Sequence, residues 1–284
     1  MAGDGYVNPQ VLVETDWMAQ HLGHPTTRLV EVDVDTAAYD SGHIAGAVGW
    51  NWHTDLQRRP VRDIPSPEEW AALLARSGIA NDTTVVLYGD NNNWFAAFAY
   101  WLFKLHGHGD VHLMNGGRKK WVDEQRELTT KVSSYPAASY EVGGTDAHLR
   151  ALRDDVRSAL ATAGVALVDV RSPGEFSGEL LAPEHLPQEG AQRGGHVPGA
   201  QNIPWATAVA EDGTFKPAAE LRRIYEGKGI TADKAVIAYC RIGERSAHTW
   251  VVLHDLLGYP NVRNYDGSWT EWGSMVAAPI ATGA

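Results

Sequence analysis

The chain repeats itself once, and that bounds its fold more tightly than any other feature of its 284 residues. The turn Ser41-Gly-His-Ile-Ala-Gly-Ala47, with Trp52 downstream, returns as Gly194-Gly-His-Val-Pro-Gly-Ala200 with Trp205, each histidine nine positions ahead of its tryptophan. Residues 85–121 then align without a gap on 236–272, at a constant offset of 151, with nine of the 37 positions identical. Leu29-Val-Glu-Val32 likewise matches Leu167-Val-Asp-Val170. A period of half the chain is a duplicated domain rather than a solenoid, and the length suits two domains of about 150 residues.

Each half alternates strand and helix. Val85-Val-Leu-Tyr88 and Val236-Ile-Ala-Tyr239 are short apolar runs bounded by turn residues, as buried parallel strands require. Helical stretches follow over 94–106 and 245–257, each stopped by a glycine, Gly107 or Gly258. Further short strands are expected at 111–114 and 262–265. Ser66-Pro-Glu-Glu69 reads as a helix start, with Ser as N-cap, Pro in the first turn and Glu69 closing a capping box. Strand–helix–strand units with short connections predict an α/β fold: two tandem domains, each a parallel sheet flanked by helices. Residues 128–146, rich in small and turn-forming types, read as a linker between a domain at 1–127 and another at 147–284. The second half carries an insertion, residues 177–195, expected to be a long loop.

Composition excludes several classes. With 24 basic and 35 acidic residues, the net charge of −11 argues against a nucleic-acid binder, which needs a basic face. The N-terminal stretch lacks a basic region followed by an apolar one, and the longest apolar run, 94–103, is too short to span a bilayer. A soluble, cytoplasmic protein without membrane partners is the expectation. One cysteine excludes an intrachain disulfide and a Cys-rich zinc site, and no histidine spacing suggests a metal, so no metal or cofactor is expected.

That cysteine, Cys240, could be a small buried hydrophobe or a reactive thiol. Comparison of the two copies favours the second reading. After matching strands, the first copy reads Tyr88-Gly-Asp-Asn-Asn-Asn-Trp-Phe95 and the second Tyr239-Cys-Arg-Ile-Gly-Glu-Arg-Ser246. Cys240 therefore stands where the other copy has Gly89, at the carboxyl end of a parallel strand, where α/β sheets bind ligands. Loop N–H groups, a helix start and two arginines, Arg241 and Arg245, would all favour the thiolate. The arginines also suit an anionic substrate, although Glu244 could neutralise one of them as an ordinary surface charge.

The loop Cys240-Arg-Ile-Gly-Glu-Arg-Ser246, the two Gly-His turns, and the segments Asn115-Gly-Gly117 and Tyr265-Asp-Gly-Ser-Trp269 together resemble a tandem-domain rhodanese of the bacterial, actinobacterial-like type, over about residues 16–279. The resemblance implies a thiosulfate sulfurtransferase with an inactive N-terminal domain and a catalytic C-terminal one. It implies that Cys240 carries a persulfide and that Arg245, with Arg241, binds the anionic donor. Ile242, Gly243, Glu244 and Ser246 would complete the loop, and Trp94 and Phe95 would line the family's pocket. Arg241 agrees with vertebrate thiosulfate enzymes, but Ile242 replaces their loop lysine, and Glu175 falls where they carry a further donor-binding arginine.

The implied cycle moves the sulfane sulfur of thiosulfate to Cys240, releases sulfite, and passes the sulfur to cyanide or a thiol, with thiolate as the resting form and no general base. The alternatives are a 3-mercaptopyruvate enzyme, a persulfide-carrier module, or a phosphatase of the Cys-x5-Arg type. Arg245 lies five residues after Cys240 rather than six, which disfavours the last. His43 and His196 recur in both copies, with and without a cysteine, and read as turn-fixing residues.

Overall fold

Each copy of the repeat builds a five-stranded parallel sheet in the computed structural model, which describes residues 4–182 and 190–283. The first sheet contains β1 (Leu12–Val13), β2 (Thr27–Asp33), β3 (Val48–Asn51), β4 (Thr84–Tyr88) and β5 (Val111–Met114), in the order β1-β5-β4-β2-β3. The second contains β6 (Arg150–Ala151), β7 (Val165–Asp169), β8 (Gln201–Asn202), β9 (Ala235–Tyr239) and β10 (Val262–Tyr265), in the order β6-β10-β9-β7-β8. The arrangement is the same, as the constant offset requires, and the fold is α/β with helices flanking each sheet. The central strands β4 and β9 are buried for four of their five residues, so they read as continuous apolar runs. One core gathers Met18, Leu29, Ile44, Val86 and Met114, and the other Val156, Leu167, Ile237, Trp269 and Trp272.

Local signals in the sequence account for the helices. Ser66 accepts from the N–H of Glu69 at 3.2 Å while Glu69 accepts from the N–H of Ser66 at 2.8 Å, so the expected capping box starts the helix Pro67–Arg76. The helix after β4 runs Trp94–Leu105. Its counterpart, Glu244–Trp250, continues through wider π turns, Val251–Leu256, where the N–H of Leu257 reaches the carbonyl of Val252, five residues back. That widening distinguishes it from the regular helix expected over 245–257.

The chain divides into two compact units, each completed by a segment from outside its own half. One comprises residues 10–146 and 210–215. The other comprises 147–209 and 216–284, with the N-terminal segment up to Pro9, where Val7 N–H bonds to Leu256 O at 2.8 Å and Ala218 N–H to Asp4 O at 2.8 Å. Residues 128–146 form no helix or strand and belong to the first unit: Thr129 and His43 exchange backbone bonds, and Tyr135 donates to Gly46 O at 2.6 Å. Of the insertion at 177–195, residues 183–189 lie outside the described residues. Its C-terminal end is held by Arg193, which donates to Met275 O at 2.6 Å and Gly273 O at 3.1 Å. No helix among the described residues is long and apolar enough to cross a membrane.

The recurrent histidines fix turns. His43 stacks on Tyr39 and bonds its carbonyl at 2.8 Å; His196 stacks on Phe176 and bonds its carbonyl at 2.9 Å. Beside each turn a strand-end tyrosine accepts a backbone N–H, Ile44 to Tyr88 and Val197 to Tyr239, both at 3.0 Å.

At Gly89 the first copy has no room for a side chain. A Cβ there would stand 2.3 Å from the carbonyl oxygen of Val32 and 2.8 Å from Oδ1 of Asp33. Burial, with the neighbouring Asp90, pushes the pKa of Asp33 up to about 10, so this loop packs around a protonated acid. Gly89→Ala is expected to destabilise the protein by about 1–3 kcal/mol through overpacking. Urea unfolding provides the test, and a midpoint equal to that of the unaltered chain would contradict the closed loop.

Candidate active site

The last residue of β9 is Tyr239, and the chain then turns through Cys240-Arg-Ile-Gly243 into the helix Glu244–Trp250. Gly243 makes this turn possible. Its φ is +104°, and an added Cβ would lie 2.8 Å from Cα of Asp266. Held there, its N–H donates to Sγ of Cys240 at 3.1 Å. The N–H of Cys240 donates to Oγ of Ser268 at 3.1 Å, tying the loop to the segment after β10. Ser246 donates to Oδ1 of Asn264 at 2.6 Å, and Nδ2 of Asn264 donates to Gly243 O at 3.1 Å. The loop is thus fixed from both sides, and Ile242 is buried with it.

Cys240 has 0% of its surface exposed. Its thiol donates to Oε2 of Glu244 at 3.2 Å. Burial raises its pKa first, and the Glu244 charge raises it further, while Arg245 and the N–H groups of Ser246 and Gly243 pull it down without prevailing. The thiolate expected from the loop cations is opposed here: desolvation and an adjacent carboxylate push the Cys240 thiol up and outweigh them.

Neither arginine is a solvated surface charge. Arg241 and Arg245 are 2% and 3% exposed. Arg245 makes a two-pronged pair with Glu175, Nη1 to Oε2 and Nη2 to Oε1, both at 2.9 Å, and its Nε lies 3.4 Å from Oε1 of Glu244. Its charge acts on the sulfur, but the donors expected to grip an anion are engaged by a carboxylate. Burial alone would raise the pKa of Glu175, yet Arg245 overrides it and holds it down to about 2. The carbonyl of Arg241 accepts from Thr270, N–H at 3.0 Å and Oγ1 at 2.9 Å.

The partnership of Glu175 is the main feature that sequence reasoning missed, although a signal was present. Ser172-Pro-Gly-Glu175 has the spacing of Ser66-Pro-Glu-Glu69, and Ser172 caps the helix Pro173–Ser177 so that Glu175 points inward. Beneath it, Arg171 is wholly buried against Asp169, Nη2 to Oδ2 at 2.6 Å, and lies over the ring of Trp269. His248, one turn along from Glu244, is pushed down to about 3 by burial and is neutral at physiological pH.

Trp94 and Phe95 are buried within the first unit, Phe95 packing 5.6 Å from the Trp52 ring. A cavity of about 600 Å³ in the second unit is lined by Phe176, Glu179, His196, Gln201 and Lys228, and by no residue of the Cys240 loop. Among the described residues no group of three or more His, Cys, Asp or Glu could hold a metal ion.

The ion pair has a stability signature. Glu175→Gln would leave Arg245 buried without a full counter-charge, at a cost of about 3–5 kcal/mol. Because the folded pKa of Glu175 lies below its ordinary value of 4.5, the stabilisation is complete above that value and is lost as pH falls through about 2. The gap in unfolding free energy between the two proteins is expected to be widest at neutral pH and to narrow across that window. A gap that stays constant down to pH 2 would show that the pair is not its source.

Comparison with known proteins agrees with this architecture. The rhodanese-like domain family matches twice, over residues 14–124 and 152–275. A protein of Thermus thermophilus named sulfur carrier protein TtuD is 59% identical over 282 residues, covering 98% of this chain and 99% of its own. A protein of Mycolicibacterium smegmatis, provisionally named thiosulfate sulfurtransferase, is 57% identical over 274 residues, covering 96% and 98%. Among solved structures, the wild-type enzyme EanB superposes with a TM-score of 0.84 at 25% identity, over 97% of this chain and 70% of that one. With both halves matched and the relatives aligned end to end, the chain belongs to the rhodanese-like family, as a tandem of two such domains.

Proposed function

We propose that this chain is a sulfurtransferase that takes the sulfane sulfur of thiosulfate onto Cys240 and delivers it to cyanide or a thiol acceptor. The observation that carries the reading is the position of its one cysteine, at the carboxyl end of β9 with a backbone N–H on its sulfur, in a copy whose sister has Gly89 there. Family membership and the names of the relatives support sulfur transfer; thiosulfate as donor rests on the finer resemblance.

In the first half-reaction the thiolate of Cys240 attacks the outer sulfur of thiosulfate. The bond from that sulfur to the sulfonate sulfur breaks, and its electron pair leaves with sulfite. In the second half-reaction the acceptor attacks the terminal sulfur of the persulfide and the Cys240 thiolate departs. The N–H of Gly243 and the charge of Arg245 stabilise negative sulfur in both steps. Since Arg245 is engaged by Glu175, the donor anion draws on the charge of the guanidinium rather than on open donors.

A carrier module with little turnover is the second reading. The full burial of Cys240 and the name of the Thermus relative both favour it. Burial shields a persulfide from water and from stray acceptors, as a carrier needs.

Incubation with thiosulfate is expected to add one sulfur atom to the intact protein by mass, and Cys240→Ser to remove that addition together with thiocyanate formation from cyanide. Thiocyanate formed by the serine variant would dismiss Cys240. Side-by-side rates with thiosulfate and 3-mercaptopyruvate are expected to favour thiosulfate, and the reverse ranking would reassign the donor. Loading without turnover would select the carrier.

A further inference from the structure

A thiol with no exposed surface, hydrogen-bonded to a buried carboxylate, raises the question of where its proton goes. The thiol must ionise before it can attack, and the Cys240 site opposes ionisation to solvent. Losing the proton to bulk water would leave two negative groups, thiolate and Glu244 carboxylate, 3.2 Å apart in a desolvated loop. Moving the proton from Sγ to Oε2 avoids this: thiol plus carboxylate becomes thiolate plus carboxylic acid, and the net charge of the buried cluster does not change.

We propose that Glu244 is the proton acceptor and donor of the sulfur transfer, a catalytic residue in direct contact with the reacting sulfur. The proposal rests on the sulfurtransferase reading above and adds to it the group that makes the nucleophile. Sγ–H donates to Oε2 in the resting state, so the proton has a hydrogen-bonded path of one step. Oε1 of the same carboxylate faces Nε of Arg245 at 3.4 Å, and Glu175 holds that guanidinium from the other side.

Arg241, the other cation of the loop, is buried at 2% exposure. Arg171 pairs with Asp169, Asp266 next to Gly243 pairs with Arg150 at 2.8 Å, and His248 on the same helix is neutral. As the proton reaches Glu244, Arg245 stands between a carboxylate on Glu175 and the new thiolate. Its charge then stabilises the sulfur that has just become negative.

The steps balance. Cys240 Sγ–H gives its proton to Glu244, forming thiolate and Glu244–COOH. The thiolate forms a bond to the outer sulfur of thiosulfate as the sulfur–sulfur bond of the donor breaks, and sulfite departs with the electron pair. In the return half-reaction cyanide takes the terminal sulfur as thiocyanate. The released thiolate recovers the proton from Glu244, and the resting hydrogen bond re-forms. A thiol acceptor instead brings its own proton, which ends on the new persulfide.

The test separates a base from a bystander charge. If Glu244 were only an unfavourable neighbour, Glu244→Gln would ease ionisation of Cys240 and speed its loading by thiosulfate. As the base, its loss slows single-turnover loading at neutral pH by about 100-fold. The same variant titrates its thiol at lower pH, read by thiolate absorbance against a Cys240→Ser blank, a clean signal in a chain with one cysteine. The deficit then closes at alkaline pH. Glu244→Asp retains part of the rate.

The unaltered protein supplies an independent measurement should the variants fail to fold. With a resident base its loading rate stays flat with pH through neutrality, because the proton moves within the site. Without one the rate climbs about tenfold per pH unit through neutrality until the thiol itself ionises. That climb, or Glu244→Gln loading as fast as the parent at neutral pH, overturns the proposal and leaves the sulfurtransferase reading standing. Unaltered protein that gains no sulfur from thiosulfate overturns both.

Discussion

The candidate site is organised around one buried cation. Arg245 lies between Glu175 and Glu244 with almost no contact with water, and each carboxylate has its own reason to be there. Glu175 is delivered by a capping box and fixes the direction of the guanidinium. Glu244 opens the next helix and accepts the thiol of Cys240. Removing Arg245 would leave two buried carboxylates without their cation, which is the expensive event in such clusters. The cluster therefore acts as a unit, with Gly243 supplying the backbone turn that closes it.

Much of this was legible in the sequence because the duplication is a controlled comparison. Strand positions, the location of Cys240 at a sheet edge and the structural role of His43 and His196 all follow from aligning two copies whose strands and helices match while the loop between them does not. The thiol state was not legible. Loop arginines argue for thiolate when counted as charges, but their effect depends on which carboxylates they meet, and sequence separation hides that. Glu175 is 70 residues from Arg245, and only the Ser-Pro-x-Glu spacing hinted that its side chain turns inward. The exchange of short segments between halves was hidden for a related reason, since single hydrogen bonds such as Ala218 to Asp4 leave no periodic trace.

The two copies also differ in how they neutralise a buried strand acid. In register, Glu31 faces Tyr88 across the strand pair as Asp169 faces Tyr239. In the first copy the guanidinium that neutralises the strand acid comes from Arg118, at 2.7 Å, from a different segment. In the second it comes from Arg171, two residues after the acid on the same strand end. The fold needs the charge pair in both, and it tolerates either source.

That freedom leaves the two loops with different surroundings. With Arg118 in place, the position equivalent to Arg171 is released, and the first copy fills it with Asp33, whose oxygen occupies the space a Cβ at residue 89 would need. A cysteine there would meet Asp33, whose pKa burial and Asp90 push up, and Trp94 takes the place of Arg245. In the second copy Arg245 is the cation that acts on the sulfur, against burial and the Glu244 charge. The two loops differ in the charges around them as well as at residue 89, so a cysteine in place of Gly89 would not by itself reproduce the surroundings of Cys240.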